Sequence, residues 1–384
     1  MRNTQIHGAL SSAAELRSLV FRLRAPVDPA ATPPATEVRD MPLPASSRAR
    51  IALRARGLLG RRHPFLQHLV ESDCPAVLAD RLAGAPVEIV VLTYPCFGPF
   101  VDAAVEAGSR VIVDIGEARA PIARQRLRET RSAGRWLRAL GDLAVAGAME
   151  KSLSRAHQFW TASPAEERWL PRHFVGRLRV VPNTLDLARY PERRLADPLP
   201  PRVGYVGSLD YPPNAVAAAR LVDGILPRLR AARPEARAIV IGRRPSRTLV
   251  ERAQAAQGWE LRADVADPLA DLAEAGVLVA PLTAGGGTKY KILEAAASNI
   301  PVVTTTIGLQ GLDLEPGRDL LVADSDEGIA AAVVSLWTEP GLAARLAASA
   351  RARVRELHGP QVLDAAVAAA LHEVLAAPAA GSPA

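Results

Sequence analysis

From Arg202 onward the sequence alternates short β-branched runs with stretches of helical periodicity, and this alternation is the strongest constraint on the fold. RVGYVGS (202–208), ARAIVIG (236–242), WELRAD (259–264), GVLVAPL (276–282), PVVTTT (301–306) and DLLVAD (319–324) read as strands. Between them, residues 212–234, 247–257, 267–275 and 288–299 carry apolar side chains at helical spacing. Strands this uniformly apolar need cover on both faces, which predicts an α/β fold with a parallel, doubly wound sheet. Asp267 before Pro268, and Ser163 before Pro164, place a capping residue ahead of a proline at the first helical position.

The first half repeats the rhythm through VEIVVLTY (87–94), RVIVDIG (110–116), HQFWTAS (157–163) and LRVVPN (178–183). With 384 residues at ~150 per domain, two Rossmann-like domains are expected. The Pro-rich string PERRLADPLPP marks the linker at 191–201, between an N-terminal domain (1–190) and a C-terminal one (202–357). A helix over 358–375 and a disordered tail over 376–384 follow. The chain opens with a helix (Gln5 to Leu16) feeding a strand (Ser18 to Leu23), where a doubly wound domain ordinarily opens with a strand. Two readings stand: a first strand missing from the sequence, or a sheet that begins with a helix.

Composition, 49% hydrophobic and 23% charged, excludes a disordered or fibrous chain. Cys74 and Cys96 cannot build a disulfide framework or a zinc site, which fits a reducing cytoplasm. The longest apolar stretch, Ile89 to Val101, is broken by Thr93, Pro95, Gly98 and Pro99 and is too short to span a membrane. The opening residues lack the apolar core of a signal peptide.

The net charge of +7 is unevenly placed: 29 basic against 20 acidic groups in residues 1–199, and 18 against 20 in residues 200–384. Lysine stands at only three of the 47 basic positions, Lys151, Lys289 and Lys291. Two of the three therefore fall in one segment, APLTAGGGTKYKILEAAASNIPVV (280–303), which reads strand, glycine loop, helix, strand. Gly285, Gly286 and Gly287 remove side chains where the loop meets the helix, so a ligand can approach backbone N–H groups. Thr288 is the expected cap, with Lys289 and Lys291 in the first turn. Cations there oppose the helix dipole unless an anion binds, and a phosphate would reverse the sign. The alternative is a solvent-facing loop. Glu294, further along the helix, is placed to accept hydrogen bonds from ribose hydroxyls or to be an ordinary solvated glutamate.

These strings carry a resemblance. VVPNTLD (180–186), YVGSLDYPPN (205–214), VIGRRP (240–245), residues 280–297, PVVTTTIGLQGL (301–312) and DLLVADSDEGIAAAV (319–333) resemble, in order and spacing, the nucleotide-sugar-binding domain of GT-B glycosyltransferases of family 4 (group 1). The first half resembles that family only weakly, through RVIVDIGEAR and FWTASPAEERWL. The resemblance implies two Rossmann-like domains facing across a cleft, and a last helix that crosses back onto the first domain. It also implies a retaining transfer from a nucleoside-diphosphate sugar to a glycan or lipid-linked acceptor in surface polysaccharide or glycoconjugate synthesis. Glu294 would then contact the donor ribose, Gly287 to Lys289 the diphosphate, Gly207 and Ser208 the sugar phosphate, and Arg243 and Arg244 the donor side. Two positions depart from the family pattern: Gly286 stands where many members have a glutamate, and Ser208, Pro212 and Pro213 stand where an Arg and then a Lys are common. Both departures match a subgroup in which Lys289, Lys291 or Arg243 would supply the missing charge. The competing functions are a nucleotide-sugar epimerase and a nucleotide-sugar-binding protein with impaired catalysis.

Leaving-group stabilisation by lysines and a helix terminus requires no metal or other cofactor. The pairs Asp324/Asp326 and Asp313/Glu315 read as caps and turns rather than metal ligands. In the first half Asp114 and Glu117 follow a strand and are the catalytic candidates, with a strand-end cap as the alternative; His63, His68 and His157 have no ligand spacing. Arginines interleave with apolar residues at 48–65 and 119–138, making an anionic membrane surface a candidate partner of a cytoplasmic, peripheral protein. With aromatics at 4%, stacking platforms for nucleic acid are scarce and no nucleic-acid partner is expected.

Overall fold

A computed structural model describes residues 2–16, 18–22, 36–40, 73–93, 98–116, 124, 127, 132–164, 170, 174–196, 198–285 and 287–376. Contacts divide the chain into two compact units, one of residues 1–183 and 363–384, the other of residues 184–362. The boundary lies at Asn183/Thr184 rather than in the expected linker at 191–201. Leu185 and Tyr190 are the reason: both are buried in the core of the second unit, and Leu185 N–H donates to the His358 carbonyl at 2.8 Å.

The first unit opens with α1 (Arg2–Ala13) and β1 (Ser18–Arg22), and β1 pairs in parallel with β2 (Thr36–Asp40), a strand the sequence reading did not include. Then come α2 (Cys74–Gly84), β3 (Ile89–Leu92), α3 (Gly98–Glu106), β4 (Arg110–Gly116), α4 (Ala133–Ser152), β5 (Gln158–Thr161) and β6 (Leu178–Val180). Strands β3, β4, β5 and β6 form a parallel sheet in that order. Side-chain alternation splits its core in two. Val111, Val113, Ile115 and Phe159 pack with Leu82, Val101 and Ala104, and the Phe159 and Phe174 rings stack at 3.8 Å. Ile112 and Trp160 face the opposite way, against Ile6, Ala9 and Leu10.

His157 is structural: its Nδ1 accepts from Val111 N–H at 3.0 Å. Burial, with Arg110 and Arg177 nearby, holds its pKa below the usual imidazole value, which keeps that nitrogen an acceptor. His63 and His68 lie outside the described residues, as do the arginine cluster at 48–65, most of that at 119–138, and residues 377–384 of the expected tail.

The second unit winds β7 (Arg202–Val206), α5 (Pro212–Arg220), a π turn (Leu221–Ile225), α6 (Leu226–Ala232), β8 (Arg237–Gly242), α7 (Arg247–Gln254), β9 (Trp259–Ala263), α8 (Pro268–Leu272), β10 (Val277–Ala280), α9 (Tyr290–Ala297), β11 (Val302–Thr304), α10 (Thr306–Leu309), β12 (Leu321–Val322), α11 (Asp326–Thr338) and α12 (Leu342–His358). The π turn has a local cause: Pro227 has no N–H for the Asp223 carbonyl, so the helix widens there and continues. All six strands are parallel, in the order β12-β11-β10-β7-β8-β9. Val203, Tyr205, Ala238, Val240, Val277 and Val279 face α5, α6 and α11, while Ile239, Ile241, Leu278 and Ala280 face α8, α9 and α12. The last helix, α13 (Pro360–Ala376), places Leu363, Val367, Ala370 and Val374 in the first unit's core beside Ile112 and Trp160.

The capping expectation at Asp267 holds: it accepts from Leu269 and Ala270 N–H at 3.0 and 3.2 Å. The cap of α11 is Ser325, between the two expected aspartates, and it accepts from Gly328 N–H at 3.0 Å. The helix expected to start at Ser163 and Pro164 would continue into residues 165–169, which lie outside the described residues.

Gly242, at the end of β8, is a point of close backbone approach near the sheet's C-terminal edge: a Cβ there would lie 2.1 Å from the Gly207 carbonyl oxygen. Gly242→Ala is expected to destabilise the second unit by ~2–4 kcal/mol. Scanning calorimetry should show its transition lowered by about 5–10 °C.

Candidate functional site

The strand order reverses its winding between β10 and β7, the two central strands. Loops leaving their C-terminal ends diverge there, and in open parallel sheets this switch point is where ligands bind. The loop after β7 carries Gly207 and Ser208; the loop after β10 carries the glycine run and leads into α9. Gly285 and Gly287 have φ of +120° and +64°, so the loop's path requires glycine at both. A Cβ on Gly285 would sit 3.8 Å from Pro213 Cβ and 4.0 Å from Tyr211 Oη, bringing the two loops together. Gly286 lies outside the described residues.

Helix α9 buries Ile292, Leu293, Ala295, Ala296 and Ala297 and leaves Lys291 and Glu294, three apart, along one side. Lys291 Nζ donates to Tyr205 Oη and to Asn214 Oδ1, both at 2.8 Å, and lies 4.4 Å from the centroid of the Tyr205 ring. Tyr205 Oη donates to the same Asn214 oxygen at 2.9 Å, and Asn214 Nδ2 donates to the Ser208 carbonyl at 3.0 Å. Gly207 makes room for this cluster: a Cβ there would lie 2.9 Å from Lys291 Nζ and 3.0 Å from Asn214. Glycine at 207 is therefore what lets the amine reach the underside of the β7 loop.

The amine's hydrogen-bond partners are both neutral, and burial lowers the Lys291 pKa to about 7. Lys289 adds to the lowering and Glu294 opposes it. Burial raises the Glu294 carboxyl, opposed by Tyr190, Arg189 and Lys291. Tyr190 Oη donates to Glu294 Oε1 at 3.2 Å, and Arg351 Nη1 donates to the Tyr190 carbonyl at 3.2 Å. Tyr190, Tyr205 and Asn214 were not singled out from the sequence. Asn214 ends the YVGSLDYPPN string, where a polar residue directly after two prolines was the available signal.

Lys289 corrects an expectation. It, rather than Thr288, is the N-cap residue of α9, and no side chain caps that end. Its side chain is 7% exposed and Nζ donates to the Gly287 carbonyl at 3.0 Å and the Gln310 carbonyl at 3.2 Å, clipping the glycine loop to the segment after α10. Arg243 and Arg244 follow β8 as expected, but they are not drawn into the lysine cluster. Arg243 is exposed and its carbonyl accepts from Leu209 N–H at 2.9 Å. Arg244, at φ +51°, is pinned by Asp264 Oδ1 at its N–H (3.0 Å), and its guanidinium pairs with Asp210 at 3.0 Å.

The acidic pairs are already engaged. Asp324 accepts from Thr306 N–H (2.8 Å) and Oγ1 (2.7 Å), and Asp326 accepts from Arg220 Nε at 2.6 Å. Glu315 pairs with Arg318 at 3.2 Å. Among the described residues no group of three or more His, Cys, Asp and Glu side chains converges. In the first unit Asp114 is 2% exposed, paired in register with Trp160 next to an irregularity at the end of β4. Glu117 lies outside the described residues.

Residues 200–339, which hold the glycine loop, the lysine cluster and Glu294, match the family model of the group 1 glycosyl transferases. Over these residues the second unit is similar to a group 1 glycosyltransferase domain. A search of curated protein sequences finds no significant match. Solved structures similar to the chain are GT-B glycosyltransferases. They include sucrose-phosphate synthase from Thermosynechococcus elongatus (17% identity, TM-score 0.66, 97% of this chain and 92% of that one). Anabaena HepE in complex with UDP is a second (13%, TM-score 0.63, 93% and 100%), and TarM a third (13%, TM-score 0.60, 79% and 58%). The chain thus spans less than two thirds of TarM's length. At these identities the likeness establishes the fold, two Rossmann-like domains of GT-B type, and the family match covers residues 200–339 within it.

Three expectations follow for the second unit. A phosphate ligand stabilises the ammonium form of Lys291, so binding takes up a proton once the free amine is neutral. Affinity for a nucleoside-diphosphate sugar, whose charge is constant in this range, is flat below pH 7 and falls roughly tenfold per pH unit above about 7. Titration calorimetry across pH checks this, and Lys291→Arg, charged throughout, flattens the profile. The same burial destabilises the apo fold below pH 7, a cost that diminishes as pH rises toward ~10.4. Tyr190→Phe removes one hydrogen bond from the carboxylate, and nucleoside-diphosphate affinity should drop about 3–10-fold with the thermal transition nearly unchanged.

Proposed function

We propose that the chain moves a sugar from a nucleoside-diphosphate sugar to a glycan or lipid-linked acceptor, with retention at the anomeric carbon, in surface polysaccharide or glycoconjugate synthesis. The observation that carries the reading is the buried Lys291 amine beneath Gly207 at the switch point, one helical turn from Glu294. Anabaena HepE, solved with UDP, is a structural neighbour and supports a nucleoside-diphosphate donor.

In this reading Glu294, with one oxygen held by Tyr190, accepts hydrogen bonds from the ribose through the other. The backbone of Gly285, Gly287 and Thr288 lies along the diphosphate, while Lys289 holds the loop in shape. Gly207 and Ser208 border the sugar phosphate. The bond from the anomeric carbon to the diphosphate oxygen breaks, and its electron pair stays on the diphosphate. The acceptor hydroxyl oxygen bonds to the anomeric carbon, and its proton leaves to the departing diphosphate or to solvent. Lys291, protonated on binding, meets the negative charge that develops there, in a site where few waters compete with it. A lysine and fixed backbone donors then serve in place of a metal ion. A cytoplasmic location fits the donor class and the buried Cys74, which forms no disulfide.

A thermal-shift and hydrolysis screen over nucleoside-diphosphate sugars tests the reading. One donor should stabilise the second unit, be hydrolysed slowly alone and transfer its sugar when an acceptor is supplied. An altered sugar formed without acceptor would make the chain an epimerase, and stabilisation without turnover a binding protein. Glu294→Gln and Lys291→Met are each expected to weaken donor binding about tenfold or more. Undiminished binding in a Lys289→Ala, Lys291→Ala double variant would remove the lysines from the scheme.

A further inference from the structure

Helix α4 (Ala133–Ser152) is amphipathic the wrong way round. It turns small residues inward: Ala139 and Ala146 are 3% and 2% exposed. Three of its large apolar residues face out, Trp136, Leu137 and Leu140, at 44%, 64% and 42% exposure. Helical spacing puts these three on one side, and the exposed Gly141 and Ala144 extend that side for a further turn. Isolated surface leucines are ordinary, but a contiguous apolar stripe led by a tryptophan marks a surface that something covers.

Charge in the surrounding sequence selects the occupant. Residues 117–152 carry eight basic groups, at 119, 124, 126, 128, 131, 135, 138 and 151, against four acidic ones, at 117, 129, 142 and 150. The whole of residues 1–199 leans the same way, with 29 basic against 20 acidic groups. A protein partner would need an acidic rim around an apolar centre, whereas an anionic bilayer offers both along its entire plane. Tryptophan prefers the boundary between headgroups and acyl chains, its ring apolar and its N–H polar. Among the described residues no helix is long and apolar enough to cross a membrane, and α4 itself contains Arg135, Arg138, Asp142, Glu150 and Lys151. A helix of this kind lies in the interface plane instead of spanning it.

We infer that the outward face of α4, led by Trp136, Leu137 and Leu140, is a docking surface for an anionic lipid bilayer. The inference does not depend on the donor site, and vesicle binding is measured without nucleotide, so its failure leaves the transferase reading untouched.

The test is co-sedimentation of the full chain with vesicles of phosphatidylcholine alone or mixed with phosphatidylglycerol, at low and high salt. Binding to the anionic vesicles only, reversed by salt, is expected. The triple variant Trp136→Ser, Leu137→Ser, Leu140→Ser should partition about tenfold or more weakly. As a measurement that does not rest on how that variant folds, brominated lipid should quench wild-type tryptophan fluorescence, and the milder Trp136→Phe should abolish the quenched component. Equal recovery with both vesicle types, or equal quenching in Trp136→Phe, overturns the inference. So does a dimer in light scattering that the triple variant dissociates, since a second copy would then be what covers the stripe.

Discussion

The second unit is organised around one buried amine. Lys291 hydrogen-bonds a phenol and an amide oxygen and sits against an aromatic ring. A full charge there without an anion is unfavourable, and burial draws the amine's pKa down to about 7. Everything nearby is arranged to keep that nitrogen in place. Tyr205 is fixed in the core of β7, Asn214 is tied to the β7 loop through Ser208, and Gly207 leaves space where any other residue would intrude.

The space is inherited from the backbone. Gly207 N–H donates to the Ile241 carbonyl, and the Gly207 carbonyl itself lies where a Cβ on Gly242 would be. Two glycines on adjacent strands therefore let β7 and β8 come together at their C-terminal ends, and Thr304 and Thr305 do related work on the far side of β10. Their hydroxyls donate to the carbonyls of Ala280 (2.9 Å) and Leu282 (2.6 Å), holding the exit of β10 toward the glycine loop. The edge of the sheet that meets a ligand is thus stiffened from both sides.

All eleven strands named from the sequence are present, because nearly all are short runs rich in β-branched residues, set between helical stretches. β2 escaped since TEVRD is short and polar, and only pairing with β1 makes it a strand. The lysine pair was visible as a rarity in an arginine-rich chain. Their division of labour was not: sequence spacing places Lys289 and Lys291 on one turn, but only the loop's path sends the first to two carbonyls and the second beneath Gly207. Tyr190 was equally hidden. It stands 104 residues from Glu294, and the pairing depends on residues 184–190 joining the second unit's core rather than ending the first.

That crossing of the chain has a further effect. Ile112 and Trp160 in the first unit are covered by a helix that begins at Pro360, after all of the second unit has been made. On the ribosome the earlier-synthesised sheet must wait with one face incomplete, while the later unit already contains every strand it needs. The usual N-to-C order of domain folding is inverted, and the first domain to emerge is the last to close.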